Sequence, residues 1–208
     1  HFRGTLIVKQ EANENSNEAT KSRGFNFIDI IKNFFVNFYE NFKKSLLKVS
    51  PTKTITEAEF KKLKVDEQMQ ELRNLVSVKG SSKTWDFFRE IFKNEAGSTG
   101  NIHDLAHLMG KLIYEKDGFK GISICTTEFA FGCFHGFLDK AFEKNLYKIS
   151  NAEGACATLG SGGPFASCVH GIGHGIASFY QTQDLDASLM ACKKLKIGHE
   201  FCYDGILM

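Results

Sequence analysis

The chain has 208 residues, 42% of them hydrophobic, so it is long enough to bury a core of its own. Its formal net charge of +2 gives no reason to expect a nucleic-acid partner. The sequence contains no apolar run of about 18 residues, which is the length that a membrane-spanning helix needs.

The N-terminal part divides into two regions. Residues 1–24 are predicted to be a flexible segment, because residues 9–24 are polar and show no apolar periodicity. Residues 25–96 are predicted to form amphipathic helices. In residues 25–49, apolar side chains recur at helical spacing, and Lys and Asn occupy the other face. This helix could dock on the domain core, lie on a membrane surface or bind a partner.

Two further helices are predicted before residue 96. The motif Thr56-Glu-Ala-Glu59 matches a capping box and predicts a helix that continues to about Val76. Gly80 begins a predicted turn, and a third helix is expected over residues 84–94.

Residues 97–208 form the third predicted region, which holds all six Cys and all but one of the seven His. The motif Cys-x-(His or Asp)-Gly begins at Cys133, Cys168 and Cys202, so its copies are about 34 residues apart. Self-similarity at this period predicts stacked helical hairpins. No segment alternates long enough to predict a strand, so the expected fold is all-α with helical-hairpin repeats.

Local signals predict helix starts and close helix packing in this region. Ser150-Asn-Ala-Glu153 matches a second capping box, and Asp186 is expected to cap a later helix. Gly171 and Gly175 lie four residues apart beside the histidines. They predict a bare stripe, that is, a strip of helix surface without side chains, where the backbone of another helix can approach closely.

The histidines of this region are the candidate metal ligands. Each His-x-x-x-His pair lies on one face of a helix, and stacked repeats would bring the pairs and the motif positions together. The predicted ligands are His103, His107, His135, His170 and His174. Imidazoles with a carboxylate suit zinc or iron. In the competing interpretation, each His caps or bridges helices through backbone hydrogen bonds.

Asp104 and Asp204 are the candidate bases or carboxylate ligands for metal-assisted hydrolysis or oxidation. The segment His103-Asp-Leu-Ala-His107 differs from the His-Glu-x-x-His pattern of zinc peptidases by Asp in place of Glu. The shorter carboxylate lies about one methylene from where that base acts, and no third ligand follows at the usual spacing. A peptidase is therefore not favoured.

The arrangement resembles the deoxyhypusine hydroxylases, helical-repeat proteins that gather a di-iron centre from His-Glu pairs on successive repeats. This chain has His-Gly, as in His135-Gly136 and His170-Gly171, where that family has His-Glu. The resemblance therefore covers the architecture and implies no activity.

The cysteines are the second group of interest. Their even number and the lack of a Cys-x-x-Cys pair favour disulfides in an oxidising compartment, with the pairs Cys125–Cys133, Cys156–Cys168 and Cys192–Cys202. An extracytoplasmic or membrane-anchored location is expected. The alternative is a cytoplasmic protein whose thiols bind metal or haem, although no covalent haem motif is present.

The sequence thus predicts a metal-binding helical-repeat protein with a His/Asp centre, whose reaction class would be hydrolysis or oxygenation. The alternative is a non-catalytic, disulfide-stapled helical scaffold that binds a protein or peptide. Because the chain begins at His1 and stops at Met208, just after a repeat motif, we expect a fragment or processed form.

Overall fold

The computed structural model describes residues 55–95, 100–181 and 184–208. The predictions for residues 1–24 and for the amphipathic segment 25–49 lie outside the described residues. The described residues form nine α-helices and one 3-10 helix and contain no strand, which confirms the all-α class. The 34-residue repeat stays a prediction.

The helices are named here in chain order. The α-helices are α1 (Glu57–Lys61), α2 (Val65–Lys79), α3 (Ser81–Phe92), α4 (Asn101–Asp117), α5 (Gly132–Phe142), α6 (Ile149–Ala157), α7 (Gly163–Phe179), α8 (Leu185–Cys192) and α9 (His199–Leu207). The 3-10 helix, Gly118–Ile124, follows α4. Residues 55–208 form one compact unit with a continuous apolar core that reaches from Phe60 to Cys202.

The first predicted capping box is confirmed, but the helix behind it is shorter than expected. Thr56 Oγ1 accepts a hydrogen bond from the Glu59 amide at 3.2 Å, and Glu59 Oε2 accepts one from the Thr56 amide at 2.9 Å. The helix ends at Lys61, and a second N-terminal capping interaction starts the next helix. Glu67 accepts from the Lys64 amide at 2.9 Å, and α2 begins there as a separate helix.

Helices α4, α5, α7 and α9 pack backbone against backbone through glycines. A Cβ atom added to Gly136 on α5 would lie 1.8 Å from the His107 carbonyl oxygen on α4. One added to Gly205 on α9 would lie 2.0 Å from the His170 carbonyl oxygen on α7. The predicted bare stripe is present too, since a Cβ on Gly175 would lie 2.9 Å from the Leu138 backbone. Only glycine allows these distances.

Each of the three local disulfides joins the end of one helix to the start or body of the next. The pairs are Cys125–Cys133, Cys156–Cys168 and Cys192–Cys202. They use all six cysteines of the chain, so no thiol is left for the alternative metal or haem site. Three disulfides are consistent with an oxidising, extracellular location. No helix within the described ranges is both long and apolar enough to cross a membrane.

A short left-handed turn precedes α5. Three successive residues other than glycine, Phe129, Ala130 and Phe131, have φ of +57°, +48° and +64°. The Cys125–Cys133 disulfide closes this turn from both sides. The Phe129 ring packs 5.0 Å from that of Phe88. Because L-residues disfavour this conformation by roughly 1–2 kcal/mol each, the surrounding contacts must hold the turn.

We expect Ala130→Gly to stabilise the protein by up to about 1 kcal/mol, because glycine reaches the left-handed region without the steric penalty of a Cβ atom. Ala130 has a φ of +48° and is half-buried, so little packing is lost. Urea denaturation of the variant and the wild type measures the difference. A variant less stable than wild type by 0.5 kcal/mol or more (a margin of about half the expected effect) would contradict the strain argument.

Candidate metal centre

All five predicted histidines meet where α4, α5 and α7 pack together. His103 and His107 lie on one face of α4, and His170 and His174 lie on one face of α7. His135 on α5 stands between the two pairs. Its ring centroid is between 4.4 and 5.8 Å from those of the other four. The glycine contacts bring the three helix backbones close enough for the rings to meet.

Three of the five histidines form a group with the spacing of metal ligands. His103, His107 and His135 each offer one ring nitrogen, and these nitrogens lie within 4.8 Å of one another. Nε2 of His103 and Nε2 of His107 are 3.0 Å apart. Bonds of about 2.0–2.1 Å in a tetrahedral site separate ligand nitrogens by roughly 3.3 Å, so shifts of up to about 1.5 Å in the nitrogen separations would be needed to reach that geometry.

The outer nitrogens of two of these rings are already engaged. His103 Nδ1 lies 2.9 Å from the Phe129 carbonyl oxygen, and since that oxygen only accepts, Nδ1 carries the proton. His107 Nδ1 lies 3.8 Å from Asp139 Oδ2, an ion-pair rather than a hydrogen-bond distance. The 3.0 Å contact between the two Nε2 atoms is an N–H···N hydrogen bond when one of them carries a proton. A bound cation would take the place of that proton, and the contacts of the outer nitrogens would keep both rings oriented towards it.

His135 supplies the third nitrogen from a fully buried ring. It is 0% exposed, and neither ring nitrogen has a hydrogen-bond partner among the described residues. Burial, with smaller contributions from the neighbouring histidines, lowers the pKa of His135 to about 2. The ring is therefore neutral near pH 7 and keeps a free lone pair. An unpartnered buried polar group costs roughly 1–3 kcal/mol, and a bound cation would remove that cost.

The structure brings His170 and His174 into the cluster but not into the three-ligand group. The His174 ring is almost parallel to that of His135, at 3° and 4.4 Å, and the His170 ring is tilted by only 28° at 5.2 Å. Imidazole lone pairs lie in the ring plane, so stacked rings do not aim their nitrogens at one point. Instead, Nδ1 of His170 bonds Asp204 at 2.9 Å, and Nδ1 of His174 bonds Asp139 at 3.2 Å.

Asp139 is the carboxylate that the sequence reasoning missed. It lies on α5, four residues after His135, so it shares that helix face and reaches both His107 and His174. Its side chain is 14% exposed. Burial alone would raise the pKa of the Asp139 carboxyl, but its contacts with His107 and His174 outweigh burial and hold the pKa well below its usual range. The His135-x-x-x-Asp139 spacing was the available signal.

The two predicted acidic residues lie elsewhere. Asp104 is exposed, and its carboxylate makes no hydrogen bond or ion pair with any described residue. One residue past His103, it points to a different side of α4 and is not placed to act as a base in the cluster. Asp204 contacts His170 from the outside of the cluster and is 78% exposed.

The chain was compared with protein-family models, curated proteins and solved structures. No protein-family model matches the chain, and no curated protein and no solved structure is significantly similar to it.

Proposed function

We propose that this protein binds one divalent transition-metal ion, zinc or iron, through His103, His107 and His135. The observation that carries the proposal is that three ring nitrogens lie within 4.8 Å of one another, one of them on the buried His135, which has no hydrogen-bond partner among the described residues. The donor chemistry fits, because neutral imidazole is the preferred nitrogen ligand of both metals. With every cysteine in a disulfide, no thiolate competes for the ion.

A metal held by three histidines keeps positions for water or substrate, as catalytic zinc sites do and structural sites do not. We therefore propose metal-assisted hydrolysis or oxidation as the reaction class. In this chain, the Phe129 carbonyl and the Asp139 carboxylate orient the rings of His103 and His107. Asp139 also lines a surface pocket of about 260 Å³ with Lys111 and Ser178. The same carboxylate therefore contacts two histidines of the cluster and borders a solvent-filled pocket.

The disulfides and the glycine contacts support two further proposals, on the location of the protein and on its repeats. We propose an extracytoplasmic protein, because three disulfides persist in oxidising compartments. We also propose that the Cys-x-(His or Asp)-Gly copies are repeats of one helical unit. Gly136 and Gly205 support this, since each places its motif helix against the carbonyl of a histidine on the preceding motif or pair.

The test is metal content and affinity of the purified chain. We expect close to one zinc or iron per wild-type chain and a loss of at least about 100-fold in affinity for His135→Ala, since a ligand is removed. His199→Ala is the matched control, because His199 stacks near Tyr203 at 6.5 Å and lies outside the cluster. Circular dichroism verifies that each variant is folded.

Two results would overturn the proposal. One is wild-type protein that is folded, binds neither added zinc nor added iron, and keeps all three disulfides. The other is metal binding that is equally strong in folded His135→Ala and in wild type. The first result would leave the disulfide-stapled scaffold for protein or peptide binding as the function to pursue.

A further inference from the structure

The Phe129 carbonyl oxygen, which holds the ring of the proposed ligand His103, belongs to the left-handed turn before α5. This oxygen accepts a hydrogen bond from His103 Nδ1 at 2.9 Å and a second one from the Gly132 amide at 3.1 Å. Because a carbonyl oxygen only accepts, the first contact places a proton on Nδ1 whatever the charge of the ring. The direction of the His103 ring therefore depends on the conformation of the turn.

An ion pair joins this turn to α3. Glu128 directly precedes Phe129, and its Oε1 accepts a hydrogen bond from Arg89 Nε at 2.9 Å and another from Nη2 of the same guanidinium. The two side chains are 39% and 41% exposed, so the pair contributes little to the free energy of unfolding. It nevertheless fixes the turn at the residue next to the carbonyl that contacts His103.

The Phe129 ring and a disulfide hold the same turn. The ring lies 5.0 Å from that of Phe88 and 5.8 Å from that of Trp85, both on α3. The Cys125–Cys133 disulfide closes the turn. Because φ of Phe129 is +57°, which an L-residue disfavours, the carbonyl keeps its direction only through such contacts. Loss of the ion pair leaves the rings and the disulfide in place, so it should let the carbonyl move without unfolding the turn.

We propose that Arg89 and Glu128 are positioning residues for the metal centre, and that they orient His103 through the Phe129 carbonyl. This inference rests on the proposed function. Neither residue belongs to the three-ligand group. Groups that hold a ligating histidine directly change metal affinity by about 10- to 100-fold when they are removed. Arg89 and Glu128 lie one contact further from the ion, so we expect a smaller loss, of about 3- to 10-fold.

The test is the zinc affinity of the full chain with its disulfides intact, measured by competition with a chromophoric chelator. Glu128→Gln removes a negative charge, and Arg89→Met removes a positive charge but keeps the apolar stem. A purely electrostatic effect would weaken zinc binding in the first variant and strengthen it in the second. Positioning predicts that both variants bind zinc at least about 3-fold more weakly than wild type. It also predicts that both change the absorption spectrum of bound cobalt(II), which reports ligand geometry.

The ion pair of Lys61 and Glu95 supplies matched controls. It is 2.8 Å long, and its side chains are 44% and 42% exposed, close to the values for Arg89 and Glu128. It joins α1 to the segment after α3 rather than to the turn. Lys61→Met and Glu95→Gln should therefore leave the zinc affinity within about 3-fold of wild type and the cobalt spectrum unchanged. Circular dichroism and urea denaturation in EDTA verify that all four variants are folded.

The outcomes separate this inference from the proposed function. Wild type that binds zinc, with either Glu128→Gln or Arg89→Met folded and binding it as tightly as the controls, would overturn the positioning function alone. Affinities that change in opposite directions in these two variants, or an unchanged cobalt spectrum, would overturn it as well. Folded wild type that binds neither zinc nor iron would overturn the proposed function, and this inference with it.

Discussion

Gly136→Ala is expected to destabilise the folded chain by at least about 3 kcal/mol, at or beyond the upper end of ordinary overpacking. The added Cβ atom would lie 1.8 Å from the His107 carbonyl oxygen and 2.5 Å from its carbonyl carbon. These are backbone atoms in the middle of α4, so no side-chain rotation relieves the overlap. The two helices must separate, and the proposed ligands His107 and His135 must move apart with them.

Gly154→Ala is the matched control for this change. Gly154 lies within α6, and no described atom comes within 4 Å of a Cβ atom added there. The same substitution should stabilise the protein by roughly 0.5–1 kcal/mol, because alanine is the better helix former. Urea denaturation of both variants in EDTA measures the two effects. A Gly136→Ala variant as stable as wild type would show that α4 and α5 are farther apart than described.

Acid is expected to destabilise the metal-free protein through His135. The pKa of this residue is about 2 in the folded state, against an ordinary value of 6.5, so the unfolded chain binds the extra proton. Stability is therefore unaffected above pH 6.5 and falls as the pH drops from 6.5 towards 2. The limiting slope is about 1.4 kcal/mol per pH unit for one such group.

Denaturation at a series of pH values in EDTA tests this dependence. His135→Leu removes the titrating ring but keeps a buried apolar side chain, so its stability should vary less between pH 7 and pH 5 than that of wild type. The other partly buried histidines titrate in both proteins, which is why the difference between the two slopes is the measured quantity. Equal slopes would mean that His135 is protonated or hydrated in the folded state.

Much of the candidate site could be predicted because its signals are local or periodic. The pairs His103/His107 and His170/His174 share helix faces through their four-residue spacing, and the 34-residue motif spacing brought His135 into the same set. Which three rings bring their nitrogens together was not predictable. That depends on ring orientation, with His135 and His174 stacked at 3° and so unable to share an ion.

Asp139 shows the limit of motif-based reasoning. It contacts His107 and His174, which lie on two other helices. The residues next to Asp139 in the sequence do not indicate these contacts. The repeated motif points to Asp204, and the zinc-peptidase pattern points to Asp104. The spacing from His135 would have placed Asp139 on the correct helix face, but its partners required the helix packing.

Two of the predicted N-terminal helix caps, at Ser150 and at Asp186, are wrong. Glu153 was expected to complete a capping box with Ser150, yet it is buried and accepts hydrogen bonds from the amides of Lys196 and Ile197. The helix begins at Ile149 instead. Asp184 rather than Asp186 caps α8, since its carboxylate accepts from the Ala187 amide at 2.8 Å.

The order of the disulfides has a consequence for how the protein is made. Each cysteine is bonded to its nearest neighbour in the chain, with separations of 8, 12 and 10 residues. Short loops close fastest, so these bonds are the ones that chance encounter favours among the many pairings that six cysteines allow. In an oxidising compartment, each pair can oxidise as soon as its second cysteine emerges, before the next pair arrives. Correct pairing is therefore favoured kinetically, and oxidative folding should need little reshuffling by an isomerase.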